Sequence, residues 1–199
     1  MDPVERTRRT YEAIAEAYHD RTKDLTALVP AIEAFCGRLP PEPRVLDAGC
    51  GPGRDAAMLA ARGCDVVGVD FARAPLHIAR DECAAELVQG DLRALPFRER
   101  RFDGIWACAS LLHLPVADLT DTLAAFHDLL SPGGVLFVSV QRGRDEEHDE
   151  RVVQHEGEAG RYFRFHTAAA MEDHLREAGF TVEELETDDE GWVTGFARR

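Results

Sequence analysis

Residues 44 to 56, Arg-Val-Leu-Asp-Ala-Gly-Cys-Gly-Pro-Gly-Arg-Asp-Ala, constrain this chain more than any other stretch. Arg44 to Leu46 reads as a short buried strand, and Asp47 stands at its carboxyl end. Gly49, Gly51 and Gly53 follow as a turn in which missing side chains permit tight dihedrals and close approach of a ligand. A helix begins directly afterwards. In such a unit the backbone N–H groups and the positive end of the helix dipole face whatever enters the turn.

Two ligand classes use a turn of this kind. Dinucleotides call for G-x-G-x-x-G, and counting from Gly49 the sixth position is Arg54, so that pattern fails by its last glycine. The stretch Asp47-Ala-Gly-Cys-Gly-Pro-Gly53 instead resembles the acidic-x-G-x-G-x-G motif of class I S-adenosylmethionine (SAM)-dependent methyltransferases. The resemblance implies an α/β fold: a Rossmann-like doubly wound sheet, mostly parallel, with an antiparallel C-terminal strand pair and helices on both faces. It implies SAM as cofactor and S-adenosylhomocysteine (SAH) as product, with Asp47, Gly49, Cys50, Gly51 and Gly53 binding the cofactor and Asp47 near its amino-acid moiety. A pyrophosphate, by contrast, would be repelled by Asp47.

Further cofactor residues follow along the chain. Asp65 to Val69 reads as a second buried strand ending at Asp70, which stands 21 positions beyond Gly49. A carboxylate at about that spacing accepts hydrogen bonds from both ribose hydroxyls. The plainer role for Asp70 is a cap for the helix predicted over 73–80. Phe71 is placed to pack on adenine. Glu86 to Gln89 reads as a third strand, followed by Gly90-Asp91-Leu92. The resemblance makes Asp91 the acceptor for the adenine amine and the Leu92 N–H the donor to a ring nitrogen, which matches the donor and acceptor of that edge. Arg101 to Ala109 is the fourth strand, and Ala109 closes the cofactor set.

Ligands in an open α/β sheet bind outside the carboxyl ends of the strands, so Ser110-Leu-Leu-His-Leu-Pro115 should face the reacting group. His113 is the candidate catalytic base, since an ordinary imidazole can take a proton near neutral pH. The alternative is a ring packed under the loop and bonded to a backbone carbonyl. Residues 4 to 20 carry Tyr11, Ile14, Ala15 and Tyr18 at helical spacing. In the resembling family such a helix covers cofactor and substrate, which makes Tyr11 and Tyr18 candidate acceptor-side residues. Leu25 to Leu39 is expected as a second helix.

Ala117 to Leu130 reads as a helix, Ser131-Pro-Gly-Gly134 as a turn and Val135 to Val140 as the fifth strand. From Gln141 to Gly160 the chain is polar, with Arg142, Arg144, Asp145, Glu146, Glu147, His148 and Asp149 in mixed sequence, and is expected to be a flexible insertion. Arg161 to His166 reads as an edge strand or as a substrate-facing segment, with Arg161 or Arg164 pairing an acidic group. A helix over 168–178 and two alternating segments, Phe180 to Glu186 and Gly191 to Ala197, close the sheet. The expected organisation is one domain over 1–199: a helical cap at 1–40, a cofactor core at 41–140, an acceptor-side insertion at 141–166 and a closing part at 167–199.

Composition narrows the function. A formal charge of −14 opposes a phosphate backbone, so nucleic acid is not the expected partner. No apolar run reaches the roughly 20 residues that span a bilayer, the first residues lack a signal-peptide core, and a cytoplasmic setting is expected. Five cysteines without a C-x-x-C pair read as reduced thiols, with neither metal nor disulfide framework. Ala109-Ser-Leu-Leu departs from the Asn/Asp-Pro-Pro-aromatic pattern of base-amine methylation, and Lys23 is the only lysine. Cys108 lies in an apolar strand rather than beside proline, which argues against a thiolate nucleophile. A small-molecule O- or N-methyltransferase is the expectation. The alternatives are an RNA- or tRNA-modifying enzyme using Arg98, Arg100 and Arg101, and a non-catalytic SAM-binding protein. The oligomeric state is left open.

Overall fold

The computed structural model describes residues 1–24, 26–143, 150–153 and 160–199. In chain order its elements are α1 (Pro3–Thr22), α2 (Val29–Cys36), β1 (Arg44–Ala48), α3 (Arg54–Ala60), β2 (Asp65–Asp70), α4 (Arg73–Glu82) and β3 (Glu86–Gln89). There follow β4 (Phe102–Cys108), α5 (Val116–Leu129), β5 (Leu130–Gln141), β6 (Glu150–Val153), β7 (Arg161–Arg164), α6 (Ala168–Glu177), β8 (Thr181–Thr187) and β9 (Trp192–Arg198). A seven-stranded sheet runs β3-β2-β1-β4-β5-β9-β8. Its first five strands are parallel, and β9 pairs antiparallel with both β5 and β8. The doubly wound sheet with a closing antiparallel pair is the expected fold.

The period of two along each strand divides the core between the faces. Leu46, Ala48, Val67, Val69, Ile105, Ala107, Leu136 and Val138 join one cluster with the apolar sides of α5 and α6. Val45, Val66, Trp106, Val135 and Phe137 join the other, with Ile32 and Phe35 of α2 and Ala56 and Leu59 of α3. Neighbouring residues of one strand therefore serve opposite layers, so helices are needed on both faces. Trp106 is the largest side chain with no exposure; it stacks on Phe137 with ring centroids 3.8 Å apart.

Three local expectations differ from what forms. The second helix is only Val29–Cys36; Pro30 lies in its first turn, where a missing N–H costs nothing, and Leu25 lies outside the described residues. Ser131 to Gly134 does not separate helix from strand but forms an irregular start of β5: Phe102 pairs Leu130, and the next pair is Gly104 with Val135. In the polar stretch, Arg144, Asp145, Glu146, Glu147, His148 and Asp149 lie outside the described residues. The described remainder is not an edge of the main sheet, because β6 and β7 pair only with each other as an antiparallel ribbon. Two of the five thiols also meet, Cys36 Sγ lying 3.9 Å from Cys64 Sγ.

His166 follows the ribbon and is 2% exposed, its ring edge-on to His174 at 6.0 Å. Burial, with His174 and Arg164 adding to it, lowers its pKa to about 3. The unfolded chain takes up this proton near pH 6.5, the folded one only near pH 3, so stability is lost as pH falls through that window. At pH 5 the loss is about 2 kcal/mol. The stability gap between wild type and His166→Phe, measured by urea unfolding, is therefore expected to shift toward the variant by that amount between pH 7 and pH 5. An unchanged gap would refute the assignment.

Candidate cofactor and acceptor site

A cleft of about 930 Å³, its open mouth included, lies at the carboxyl ends of β1, β2 and β4. The glycine turn forms its floor. Gly49 has φ +86°, and a Cβ there would stand 2.4 Å from Ser110 Cβ, so only glycine lets the turn pass the end of β4. Gly53 caps α3 at φ +88° and faces away from the cleft; a Cβ would meet Ala79 Cβ and Cys83 Sγ at 3.0 Å. Its role is thus to seat the turn on α4, while Gly49, Cys50 and Gly51 line the cleft.

Asp70 ties this floor together. Its carboxylate accepts from Gly51 N at 3.0 Å and from Ala72 N at 2.8 Å. Each oxygen retains a second lone pair for a ligand hydroxyl. Desolvation raises its pKa to about 6, partly offset by those amides. Asp47 is 2% exposed and its Oδ2 has no hydrogen-bond partner. Burial pushes its carboxyl well above the usual range, and the nearby Asp55 and Asp70 carboxylates add to the effect. Asp55 accepts from Trp106 Nε1 at 2.9 Å and from Arg54 Nε at 2.6 Å.

Asp91, at the other end, is bound by Arg93, whose Nε and Nη2 reach it at 3.0 and 2.7 Å. Burial opposes its charge, yet these bonds prevail and hold its pKa below the ordinary value. Arg93 also reaches Asp2 before α1 and Asp118 on α5, each at 3.2 Å. Phe71 and Leu92 line the same end of the cleft. Ala109 closes β4 at φ +52°, a left-handed conformation that costs a residue with a side chain about 1 kcal/mol or more. That bend turns Ser110 back against Gly49.

Helix α1 forms the roof and presents Tyr11 and Tyr18 to the cleft. Asp2 caps its start through Val4 N at 3.1 Å. Glu12 caps α4 from outside, accepting from Arg73 N at 2.8 Å and Ala74 N at 2.9 Å. Thr7 and Thr10, both without exposure, join the roof to the ribbon: Tyr162 N donates to Thr7 Oγ1 at 3.0 Å, and Thr10 Oγ1 donates to Gly160 O at 2.7 Å.

His113 lines the cleft, and its Nδ1 lies 2.7 Å from Tyr162 O, the backbone-carbonyl bond of the alternative considered for it. A carbonyl only accepts, so Nδ1 carries the proton. Burial lowers the pKa to about 4, against the opposing pull of that carbonyl, and the ring is neutral at pH 7. Nε2 then accepts from Tyr11 Oη at 3.1 Å.

Arg164, the expected acceptor-side cation, does not line the cleft. Arg161 is the ribbon arginine that reaches the roof, donating to Tyr11 Oη at 3.3 Å. Alternation along β7 sets Arg161 and Phe163 on one face and Arg164 on the other. Ser110, at the start of the loop expected to face the reacting group, lines the cleft, whereas sequence reasoning missed Thr22, Arg54, Asp55 and Cys108. Position alone could have indicated Arg54 and Asp55, which open the helix after the glycine turn. Cys108 belongs to the cleft wall rather than the core interior, yet desolvation, followed by Asp55, keeps its thiol well above the usual pKa and unsuited to nucleophilic attack.

These residues fit SAM better than a dinucleotide. Asp47 offers a buried, unpartnered oxygen suited to an ammonium group, Asp70 suits a ribose, and four aspartates around the cleft oppose a pyrophosphate. An α/β protein with an adenosyl site at the ends of its parallel strands is the class so defined. The family described as methyltransferase domain matches residues 45–134. Methyltransferase GfsG from Streptomyces halstedii is 35% identical over 121 residues, 56% of this chain and 43% of its own. Malonyl-(acyl-carrier protein) O-methyltransferase from Enterobacter lignolyticus is 39% identical over 108 residues, 52% of this chain and 42% of its own. This chain thus spans less than half the length of these two curated relatives. Among solved structures, Burkholderia thailandensis 1,6-didemethyltoxoflavin-N1-methyltransferase, with 1,6-didemethyltoxoflavin and SAH bound, matches at TM-score 0.80 and 26% identity. That match covers 98% of this chain and 88% of the other. Residues 45–134 thus form a methyltransferase domain, and nearly the whole chain shares the fold of a solved methyltransferase with SAH bound.

Proposed function

We propose that this protein transfers a methyl group from SAM to an O or N atom of a small-molecule acceptor. The observation that carries the reading is the roofed cleft, in which Asp47, Gly49, Gly51, Asp70 and Asp91 lie along one side and Tyr11, Tyr18 and His113 along the other. When bound, SAM supplies an electrophilic methyl group on a sulfonium. The chain aligns the acceptor for in-line attack and excludes water, which supplies most of the catalysis such a displacement needs. Gly51 and Asp70 hold the floor, Asp91 fixes the far end, and α1 with the ribbon closes the site. The 1,6-didemethyltoxoflavin bound in the Burkholderia thailandensis N1-methyltransferase supports the small-molecule reading. Among the described residues no helix is long and apolar enough to cross a membrane, and we infer a cytoplasmic setting from the reduced thiols.

The RNA-modifying alternative is disfavoured by position. Arg98, Arg100 and Arg101 are exposed, but they precede the amino end of β4, opposite the end that bears the cleft. Isothermal titration with SAM, SAH and NAD tests the cofactor reading, followed by transfer of labelled methyl to a panel of phenols, carboxylic acids and heteroaromatic amines. Binding of NAD in preference to SAH, or no SAH binding at any salt concentration, would end it.

A further inference from the structure

Half-buried Tyr11 and buried His113 and Arg161 form a directed hydrogen-bond chain at the acceptor wall. Arg161, 8% exposed, donates to Tyr11 Oη; Tyr11 donates to His113 Nε2; His113 Nδ1 donates to the Tyr162 carbonyl. The direction is forced, because a guanidinium only donates and a carbonyl only accepts. Tyr11 and His113 line the cleft, while Arg161 stands behind Tyr11 with its guanidinium carbon 5.4 Å from the ring centroid.

Resting on the methyltransferase reading, we propose that Tyr11 and His113 take the proton of an acceptor bearing an acidic O–H or N–H, and that Arg161 is a positioning residue for this pair. The acceptor's X–H bond breaks and leaves its electron pair on X. That proton joins Tyr11 Oη while Tyr11's own proton crosses to His113 Nε2. The products are an anionic acceptor ready for methylation, a neutral tyrosine and an imidazolium.

The same geometry defines the substrate class. Burial makes His113 a permanently available but weak base at neutral pH, with its pKa lowered to about 4. It can relieve only an acceptor that ionises readily: an enol, an electron-poor phenol or a heteroaromatic N–H. Aliphatic alcohols ionise too reluctantly. Arg161 favours the acceptor anion and opposes a cationic acceptor, which disfavours protonated amines. Desolvation raises the pKa of Tyr11 and Arg161 pulls it back, so the tyrosine passes a proton on without resting as phenolate. The charged and titratable groups facing this pair are Arg161 on β7, Tyr18 on α1 and Asp70 at the end of β2.

The test uses the full chain saturated with SAH and 4-nitrophenol as probe, with phenolate absorbance followed against pH. In the wild type, bound 4-nitrophenol is expected to ionise about one pH unit lower than free probe, a tenfold shift. Tyr11→Phe and His113→Gln should abolish the shift, and Arg161→Gln should reduce it, with rescue by Arg161→Lys. SAH affinity of the two Arg161 variants should stay within about twofold of wild type, since Arg161 does not line the cleft. Nitrogen NMR of labelled histidines in the wild type gives a second readout: His113 should carry its proton on Nδ1, and Tyr11→Phe should move the Nε2 resonance. An Nε2-protonated ring, an unshifted ionisation, or SAH-loaded protein that takes up no 4-nitrophenol overturns the proposal. Failure of the wild type to bind SAH overturns instead the reading on which it rests.

Discussion

Asp70→Ala is expected to weaken SAH binding by roughly 10²- to 10⁴-fold. Two hydrogen bonds from a ribose to a charged acceptor contribute about 1.5–3 kcal/mol each, and each 1.4 kcal/mol is a tenfold change. The substitution also releases Gly51 N and Ala72 N, whose bonds to the carboxylate hold the glycine turn against α4. Asp70→Asn keeps the size and one acceptor oxygen, so its loss should be smaller, about tenfold. Calorimetric titration of the three proteins with SAH decides the matter. Equal affinities would remove Asp70 from the cofactor site. The raised pKa, about 6, adds a pH signature: wild-type binding should strengthen as pH rises through 6, where the carboxylate is formed. Asp70→Asn should lack that step.

Trp106→Ala is expected to bring the protein close to its unfolding threshold. Deleting a fully buried tryptophan from a packed core costs about 3–5 kcal/mol. Here the ring lies between Phe137 at 3.8 Å and Phe35 at 5.3 Å, so little can move in to fill the space. The lost indole N–H also leaves Asp55 Oδ2 without its 2.9 Å donor inside the protein, which adds about 1–3 kcal/mol. Against a typical total of about 5–15 kcal/mol, this is most of the stability of an ordinary domain. Trp106→Phe separates the two contributions, keeping a stacked ring but losing the bond. Thermal unfolding should rank wild type, Trp106→Phe and Trp106→Ala in falling order. A Trp106→Ala protein as stable as the wild type would show that the sheet does not depend on this layer.

The parts of the fold and site that were legible in the sequence are those written within a few residues of each other. Val45, Leu46 and Asp47 announce a buried strand and its carboxyl end, and Gly49 and Gly51 announce the turn. Asp70 and Asp91 each close a short strand in the same way. Parallel strands separated by helices then leave little choice of where a ligand sits, so Tyr11 and His113 were within reach. What was not legible depends on contacts between distant segments. Arg161 meets Tyr11 across 150 positions, through a ribbon whose pairing no local pattern specifies. The period of two along Arg161-Tyr-Phe-Arg164 fixes which arginines share a face, but only the docked ribbon decides which face meets α1. Thr22 belongs to the cleft simply because α1 is long enough to extend over it. Arg93 is similar: its neighbour Asp91 is visible in the sequence, but Asp2 and Asp118 reach it only in three dimensions.

The bidentate cap from Glu12 to the start of α4 has a consequence for assembly during synthesis. The first helix leaves the ribosome early, carrying a carboxylate whose partners, the amides of Arg73 and Ala74, lie 61 and 62 positions further along. Until those residues emerge, α1 has no α4 to rest on, and α4 lacks a side-chain cap of its own. The start of α4 is therefore capped only by a residue made some 60 positions earlier. The roof gains its last supports later still, when Gly160 and Tyr162 reach Thr10 and Thr7.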